Sequence, residues 1–317
     1  MCIRDSLYPI HGTTVDELLK HADFAMYEAK GRGTPFEVYA KSEEQVTPAQ
    51  IGLLGEFRRA LDERELVVHY QPAADLRSGE LRGVEALVRW RHPRHGLLLP
   101  SEFVPMVEQT SLIRPLTMEV LDQALSQSRK WLEQGLDLRI AVNLSPRSLQ
   151  DPLFAEELQR ILHKWSISPA RLDLEITEST VMSNPKRAMD ALDDLRGLGV
   201  GLVLDDFGTG YSSLTYLRAL PVDKIKIDKS FVENMATSLS DGVIVRSLID
   251  LAHNLGLRVV AEGVENEVVW RELTQLGCDS AQGFYLSTPR PGLELTRWMA
   301  DVDGRGGPLG EPLRQAV

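Results

Sequence analysis

The chain has few cysteines, no long apolar run and an excess of negative charge. Cys2 and Cys278 are its only cysteines, and two thiols so far apart predict no disulfide framework, which favours a reducing cytoplasm. No apolar stretch reaches the roughly 18 residues that a membrane-spanning helix needs. The formal net charge of −11 argues against a nucleic-acid polymer or an anionic membrane surface as partner. A small anionic ligand stays possible, because a bound metal outweighs nearby carboxylates.

The composition is that of a soluble globular protein, with 43% hydrophobic and 26% charged residues. Residues 1–40 are predicted to be a separate piece, whose first six residues, MCIRDS, fit poorly onto the segment after them and are interpreted as an assembly artefact. A polar linker is predicted over 41–52, the main domain over 53–299, and a disordered glycine- and proline-rich tail over 300–317. Any membrane tether of the parent protein is expected to lie outside this chain.

Short apolar runs alternate with amphipathic helical stretches from about residue 53 onward. The eight runs are LVVHYQP, LRGVEALVRW, LRIAVNLS, LDLEIT, GLVLDD, KIKID, RVVAEGV and DSAQGFYL. Eight strands separated mostly by helices over roughly 250 residues predict an α/β fold, a (β/α)8 TIM-like barrel. Only AADLRSGE separates the first two runs, which suits a hairpin and is too short for a parallel crossover. One antiparallel strand is therefore expected near the start.

Nearly every predicted strand delivers a polar side chain where it ends. These residues are Glu85, Asn143, Glu175, Asp205 with Asp206, Lys226, Glu262 and Gln282. In a barrel the carboxyl ends of the strands meet at one rim, where active sites lie. Strand alternation in KIKID predicts that Lys226 and Asp228 point into the barrel mouth. Each residue alone has an ordinary structural explanation, but their coincidence on consecutive strand ends predicts a metal site.

The donor types indicate which metal this site would bind. The candidate ligands are oxygen donors, without Cys or His, and so favour Mg²⁺ or Mn²⁺ over Zn²⁺. The five carboxylates exceed the need of one divalent ion. Two ions about 3.5–4 Å apart would use them, and such pairs serve in-line displacement at phosphorus. The adjacent Asp205 and Asp206 are expected to reach both ions.

With these residues assembled, residues 53–299 resemble an EAL-type cyclic di-GMP phosphodiesterase. The motif Glu85-Ala86-Leu87 is followed by NLS, EITES, DDFGTGYSSL, KIDKSF, AEGVE and QGFYLSTP in the family's order and spacing. The pair DDFGTGYSSL and KIDKSF is a long and specific signature. The resemblance implies that the ligands of two Mg²⁺ or Mn²⁺ ions are Glu85, Asn143, Glu175, Asp205, Asp206 and Glu262.

The resemblance also implies roles for five further residues. Lys226 would orient or deprotonate the attacking water, and Arg89 would pair with a substrate phosphate. Glu178 would hold the FGTGYSS loop, while Glu265 and Gln282 would support the metal and water positions. All these positions carry the residue of the family, whereas members that bind the nucleotide without cleaving it usually lack one or more.

The expected reaction is hydrolysis of cyclic di-GMP to linear pGpG by a two-metal in-line mechanism, in a protein that forms a homodimer through the barrel. One alternative is a cyclic di-GMP receptor that does not hydrolyse it. The other is a metal-dependent barrel enzyme of unrelated chemistry, such as an enolase-like lyase. Residues 7–40 resemble the C-terminal end of a GGDEF domain, but the chain lacks that domain's glycine-glycine-acidic-acidic-phenylalanine site. They are interpreted as a remnant of a truncated neighbouring domain.

Overall fold

The computed structural model describes residues 3–5, 36–38, 48–208 and 214–303. The predicted GGDEF-like remnant at 7–40 and the predicted disordered tail therefore lie largely outside the described residues. The strands are β1 (Ile3–Asp5), β2 (Phe36–Val38), β3 (Leu66–Asp75), β4 (Leu81–His92), β5 (Gly96–Leu98), β6 (Arg139–Asn143), β7 (Leu172–Thr177), β8 (Gly201–Phe207), β9 (Lys224–Ile227), β10 (Arg258–Ala261), β11 (Ser280–Gln282) and β12 (Arg290–Pro291).

Helices connect most of the strands. They are α1 (Pro48–Asp62), α2 (Pro100–Glu108), α3 (Ile113–Glu133), α4 (Pro146–Leu149), α5 (Phe154–Trp165), α6 (Glu178–Ser183), α7 (Pro185–Leu198), α8 (Leu214–Ala219), α9 (Lys229–Val232), α10 (Leu239–Asn254), α11 (Glu267–Gln275) and α12 (Gly292–Asp303), with a 3₁₀ turn at Pro169–Arg171. Helix α1 begins inside the predicted linker, and α12 continues four residues past the predicted end of the barrel at residue 299. Among the described helices, none has both the length and the apolar character that crossing a bilayer requires.

Eight strands close into a barrel in the order β3, β4, β6, β7, β8, β9, β10, β11 and back to β3. Neighbouring strands from β4 to β11 run parallel, whereas β3 is antiparallel to both β4 and β11. The predicted (β/α)8 barrel with an antiparallel strand near its start is confirmed. The turn that joins β3 to β4 is fixed by Asp75, whose Oδ1 accepts a hydrogen bond of 2.8 Å from the Ser78 amide.

Two short strands extend the sheet beyond this barrel, and the sequence did not indicate either. Strand β5 pairs antiparallel with β4, and β12 pairs antiparallel with β3. Strands β1 and β2 form a separate two-stranded parallel sheet.

The apolar core lies between the outer face of the barrel and the helices. On β7, Leu172, Leu174 and Ile176 are fully buried, as alternation along a strand with helices packed outside it requires. The intervening Asp173 and Glu175 are also buried, but they line the barrel interior. The inside of this barrel is therefore polar, and its helix-facing side is apolar.

Candidate active site

The carboxyl ends of seven neighbouring strands place polar side chains around one point of the barrel rim. They are Glu85 on β4, Asn143 on β6, Glu175 on β7, Asp205 and Asp206 on β8, Lys226 on β9, Glu262 directly after β10, and Gln282 on β11. The strand register brings neighbours together, because Asn143 lies opposite Glu175 and Thr177 opposite Asp205. Because the parallel strands are in register, residues that are far apart in sequence lie together in one cluster.

Lys226 is the centre of this cluster. Its side chain is only 2% exposed, and its Nζ lies 2.9 Å from Glu175 Oε2 and 3.1 Å from Glu85 Oε2. The same ammonium lies 2.5 Å from Glu262 Oε1 and 3.6 Å from Asp205 Oδ1. A buried lysine stays charged only where acidic groups compensate its charge, because it otherwise loses its proton. Here the compensation is excessive, since one ammonium contacts four carboxylates.

The excess of negative charge shows in the acidities of the carboxyl groups. Burial and the neighbouring carboxylates hold the pKa of Glu175 well above its ordinary value, although Lys226 opposes this. Burial, only partly offset by Lys226, raises the pKa of Glu262 to about 7 and also raises the pKa of Asp205. Burial alone would lower the pKa of Lys226, but the four surrounding carboxylates raise it well above its usual range. A cluster of this kind favours the entry of further positive charge.

Glu85 differs from the other carboxylates because it has enough hydrogen-bond donors. Burial pushes its pKa up, but Lys226, Gln282 and Asn143 outweigh burial, and the net pKa is lowered. The Gln282 amide donates to Glu85 Oε2 at 2.7 Å, and the Asn143 amide donates to Oε1 at 2.7 Å. Glu85 is therefore ionised and held in one orientation.

Gln71 completes this network, and it was not among the predicted site residues. Its Oε1 accepts a hydrogen bond of 3.1 Å from Gln282, while its Nε2 donates to the Ser287 carbonyl at 3.2 Å. These two bonds fix which end of the Gln282 amide faces Glu85. The antiparallel strand β3 carries Gln71 in its middle, opposite Glu85, so inspection of strand ends could not find it. The polar HYQP segment in the first apolar run was the available signal.

Asp205, Asp206 and Glu262 form a group suited to a metal ion, since one carboxylate oxygen of each lies within 4.8 Å of the others. Consecutive residues of a regular strand point to opposite faces, so Asp205 and Asp206 need a break in the strand to act together. Asp206 supplies this break with a φ of +54°, where the register between β8 and β9 also shifts. Asp tolerates this left-handed conformation better than most residues. The oxygen donors, their burial and their raised pKa values fit a divalent cation.

Three predicted site residues are less closely tied to this cluster. Arg89 is buried on β4, and its Nη1 donates to the Val88 carbonyl at 2.8 Å. Glu178 begins α6 and is buried, and its Oε2 has no hydrogen-bond partner among the described residues. The segment 209–213, part of the loop that Glu178 was predicted to hold, lies outside the described residues. Glu265 is exposed, and no polar contact joins it to the cluster within the described part of the chain.

The fold and the site together indicate the class of this protein: a (β/α)8 barrel with an acidic cluster at its carboxyl rim, where active sites of such barrels lie. Asp205, Asp206 and Glu262 of this cluster could hold a divalent metal ion. Residues 54–289 match the family model described as EAL domain. The chain belongs to the EAL domain family. This membership argues against the alternative of a metal-dependent barrel enzyme of unrelated chemistry.

Known relatives have the same domain within longer chains. MucR of Pseudomonas aeruginosa, named a bifunctional diguanylate cyclase/cyclic di-GMP phosphodiesterase, is 43% identical over 292 residues, which are 92% of this chain and 43% of MucR. The cyclic di-GMP phosphodiesterase PdeR of Escherichia coli is 38% identical over 92% of this chain and 44% of PdeR. The chain thus spans less than half the length of both relatives.

A solved structure gives the same result for the fold. The structure described as "PaMucR Phosphodiesterase, c-di-GMP complex" superposes with a TM-score of 0.74 at 44% identity, covering 77% of this chain and 99% of that one. The barrel architecture is therefore shared with a phosphodiesterase whose structure was solved in complex with this nucleotide.

Proposed function

We propose that this chain hydrolyses one phosphodiester bond of cyclic di-GMP and releases linear pGpG. The observation that carries the proposal is the buried Lys226 among four carboxylates at the carboxyl rim of an EAL-family barrel. The relatives MucR and PdeR are named as phosphodiesterases of this nucleotide. A cluster that holds excess negative charge repels a phosphodiester unless cations neutralise it, which makes the reaction metal-dependent.

Two Mg²⁺ or Mn²⁺ ions would be held by six residues of the cluster. These are Glu85, Asn143, Glu175, Asp205, Asp206 and Glu262. When bound, such ions stabilise negative charge on phosphate oxygens and make water a stronger nucleophile at neutral pH. The protein's own contribution is to hold the carboxylates in place, as Gln282 and Asn143 do for Glu85, whose pKa they also help to lower.

Lys226 would orient or deprotonate the attacking water. Because the surrounding carboxylates hold its pKa well above the usual range, its ammonium donates hydrogen bonds and does not accept a proton in the metal-free site. Its Nζ lies within 3.6 Å of an oxygen of four of the proposed ligands, which supports a position beside any water that those ligands surround. We assign it orientation or deprotonation of the nucleophile, because bound divalent ions would offset the carboxylate charge that raises its pKa.

The remaining predicted residues would act around this centre. Arg89 would pair with a phosphate of the substrate, since its buried guanidinium is anchored to the Val88 carbonyl through Nη1 and carries further N–H donors. Gln282 would support the metal and water positions through Glu85. Glu178 would fix the loop that follows β8, and its buried Oε2 has no partner among the described residues. Glu265, in the segment after β10, would also support the metal and water positions.

The test is incubation of the purified protein with cyclic di-GMP and Mg²⁺, with the product identified by mass spectrometry. We expect pGpG with Mg²⁺ or Mn²⁺, none with EDTA, and inhibition by Ca²⁺, because its longer bonds and looser geometry disturb the site. Asp205→Asn should lose turnover, whereas the exposed Asp250→Asn on α10 should keep it. Activity in a fully chelated sample would contradict the metal-dependent mechanism, and binding without turnover would identify a receptor.

We also propose a GGDEF-like remnant ahead of the barrel and a homodimer of this chain. The similarity to MucR extends beyond residues 54–289 on the amino-terminal side, which supports the remnant.

Leu239 and Val243 on α10 are 91% and 63% exposed, which supports association of this surface with another protein. Light scattering should give twice the monomer mass, and GTP should yield no cyclic di-GMP because the cyclase motif is absent.

A further inference from the structure

A second polar space lies inside the barrel, beneath the cluster around Lys226. One cavity of about 670 Å³ is lined at its inner end by Glu85, Glu175, Lys226 and Gln282. At its other end it reaches the amino-terminal ends of the strands, where Arg139 contributes to its wall. The cavity thus connects the underside of the candidate active site to the opposite mouth of the barrel.

Small side chains keep this space open. The interior of a (β/α)8 barrel is usually filled by layers of bulky branched residues. Here the wall of the cavity includes Ala73, Gly83 and Ala141, which have small side chains or none. The packing that normally closes such a barrel below its active site is therefore incomplete.

Charged residues surround the lower mouth of the cavity. Asp173 accepts hydrogen bonds from Arg139 Nε at 3.1 Å and from Lys224 Nζ at 2.5 Å. Gly201 lies opposite Asp173 on the next strand, and a Cβ there would overlap the Asp173 and Arg139 side chains. A cavity of this size with charged walls holds water, because apolar cavities alone stay dry.

We propose that this cavity is a second solvent entrance to the reaction site, with Asp173, Arg139 and Lys224 at its lower mouth. The inference rests on the proposed hydrolysis, which consumes one water in each turnover. A nucleotide bound at the carboxyl rim would cover the upper approach to Lys226. Water then reaches the underside of the cluster through the lower mouth while the upper one is occupied.

Cysteine labelling tests the route directly. In a chain carrying Cys2→Ser and Cys278→Ser, Ala141→Cys places one thiol on the cavity wall, and Ala261→Cys places a control thiol at a fully buried position outside it. Methyl methanethiosulfonate should label Ala141→Cys but not Ala261→Cys, as measured by intact mass. Saturation with cyclic di-GMP and Ca²⁺ should leave the Ala141→Cys labelling rate unchanged. Val260→Cys repeats the measurement from another strand if Ala141→Cys fails to fold.

Protection by the nucleotide would overturn the proposal, because solvent would then enter only through the carboxyl rim. Absence of labelling in the free protein would overturn it as well. Calorimetry on the same samples reports nucleotide binding separately. If no nucleotide binds, both the proposed function and the second solvent entrance are wrong. If the nucleotide binds and protects Ala141→Cys from labelling, only the second solvent entrance is wrong.

A bulky label tests whether the route matters for turnover. Ser280 lines the cavity at the start of β11, two residues before Gln282. Benzyl methanethiosulfonate on Ser280→Cys should lower kcat several-fold and leave KM for cyclic di-GMP unchanged, since the upper mouth stays free. The methyl label at the same position should have a smaller effect. Equal kcat values for the unlabelled and the benzyl-labelled protein would overturn the proposal.

Discussion

Replacing Lys226 distinguishes a role in catalysis from a role in compensating the charge of the buried carboxylates. Lys226→Met removes the ammonium and keeps a long unbranched side chain. We expect cyclic di-GMP turnover to fall by about 10²–10⁴-fold if the ammonium positions the reacting water. The metal-free protein should also lose about 3 kcal/mol of its free energy of unfolding, because buried carboxylates are left uncompensated. Steady-state rates and urea denaturation measure the two effects.

A Mg²⁺ titration provides the control for this variant. Metal should restore most of the lost stability, since it replaces the missing positive charge, but it should not restore turnover. Lys186→Met, at an exposed position on α7, should change neither property. Recovery of turnover by Mg²⁺ alone would show that Lys226 is only a counter-ion.

Glu262 predicts how the metal-free protein responds to pH. Its pKa in the folded protein is about 7 and its ordinary value is 4.5. Between these values the folded state binds more protons than the unfolded state, so the contribution of Glu262 to stability falls as pH rises through this window. In EDTA, the melting temperature should therefore fall more steeply between pH 5 and pH 7 in the natural chain than in Glu262→Gln.

Saturating Mg²⁺ should flatten this pH dependence, because bound cations favour the ionised carboxylate. The measurement is a set of melting curves across pH with and without metal. Equal slopes for the natural chain and Glu262→Gln in EDTA would contradict the raised pKa.

At the scale of single elements, strand β8 depends on a glycine at its start. A Cβ at Gly201 would overlap Asp173 and Arg139, which fill the space beside it. Gly201→Ala should therefore cost about 1–3 kcal/mol of the free energy of unfolding, as overpacking does. Gly197→Ala is the matched control, since it lies in helix α7 with no atom near its missing Cβ. This control should be neutral or stabilise the protein by up to about 1 kcal/mol, as measured by urea denaturation.

The strands were the most predictable elements, because apolar runs and short loops are local signals. The short link between β3 and β4 predicted their hairpin, and alternation in KIKID predicted the inward direction of Lys226. Asp228 lies one residue past the end of β9 at Ile227 and caps α9, where it accepts a hydrogen bond of 3.0 Å from the Ser230 amide. Burial, Asp205 and then Asp228 raise the pKa of Asp206, so Asp228 lies near the mouth to which alternation assigned it.

Tertiary contacts explain what the sequence did not predict. Gln71 joins the cluster only because β3 runs antiparallel and lies opposite Glu85, a relation between distant segments. Likewise, Asp205 and Asp206 share one face only because of the left-handed backbone at Asp206, which the motif does not reveal by itself. The cavity below Lys226 depends on small residues from several strands and has no local signature.

At the scale of the whole molecule, the boundary between the barrel and the preceding residues lies at helix α1. Phe57 of α1 is fully buried, with its ring 5.3 Å from Trp90 and 5.6 Å from Phe103 between centroids. Glu56 of the same helix lies 2.9 Å from the buried His92 ring. Helix α1 is therefore part of the barrel's own core, although its first residues fall in the predicted linker.

Two truncations test this boundary. Deletion of residues 1–45 keeps α1 and should leave the barrel folded, with cyclic di-GMP turnover close to that of the full chain. Deletion of residues 1–63 removes Phe57 and exposes Trp90 and Phe103, so we expect insoluble protein or a large loss of thermal stability, because truncating one buried aromatic already costs about 3–5 kcal/mol. Soluble yield, melting temperature and turnover should be measured for both. Unfolding of the shorter deletion would show that residues 1–45 are a structural part of the barrel and not the remnant of a separate domain.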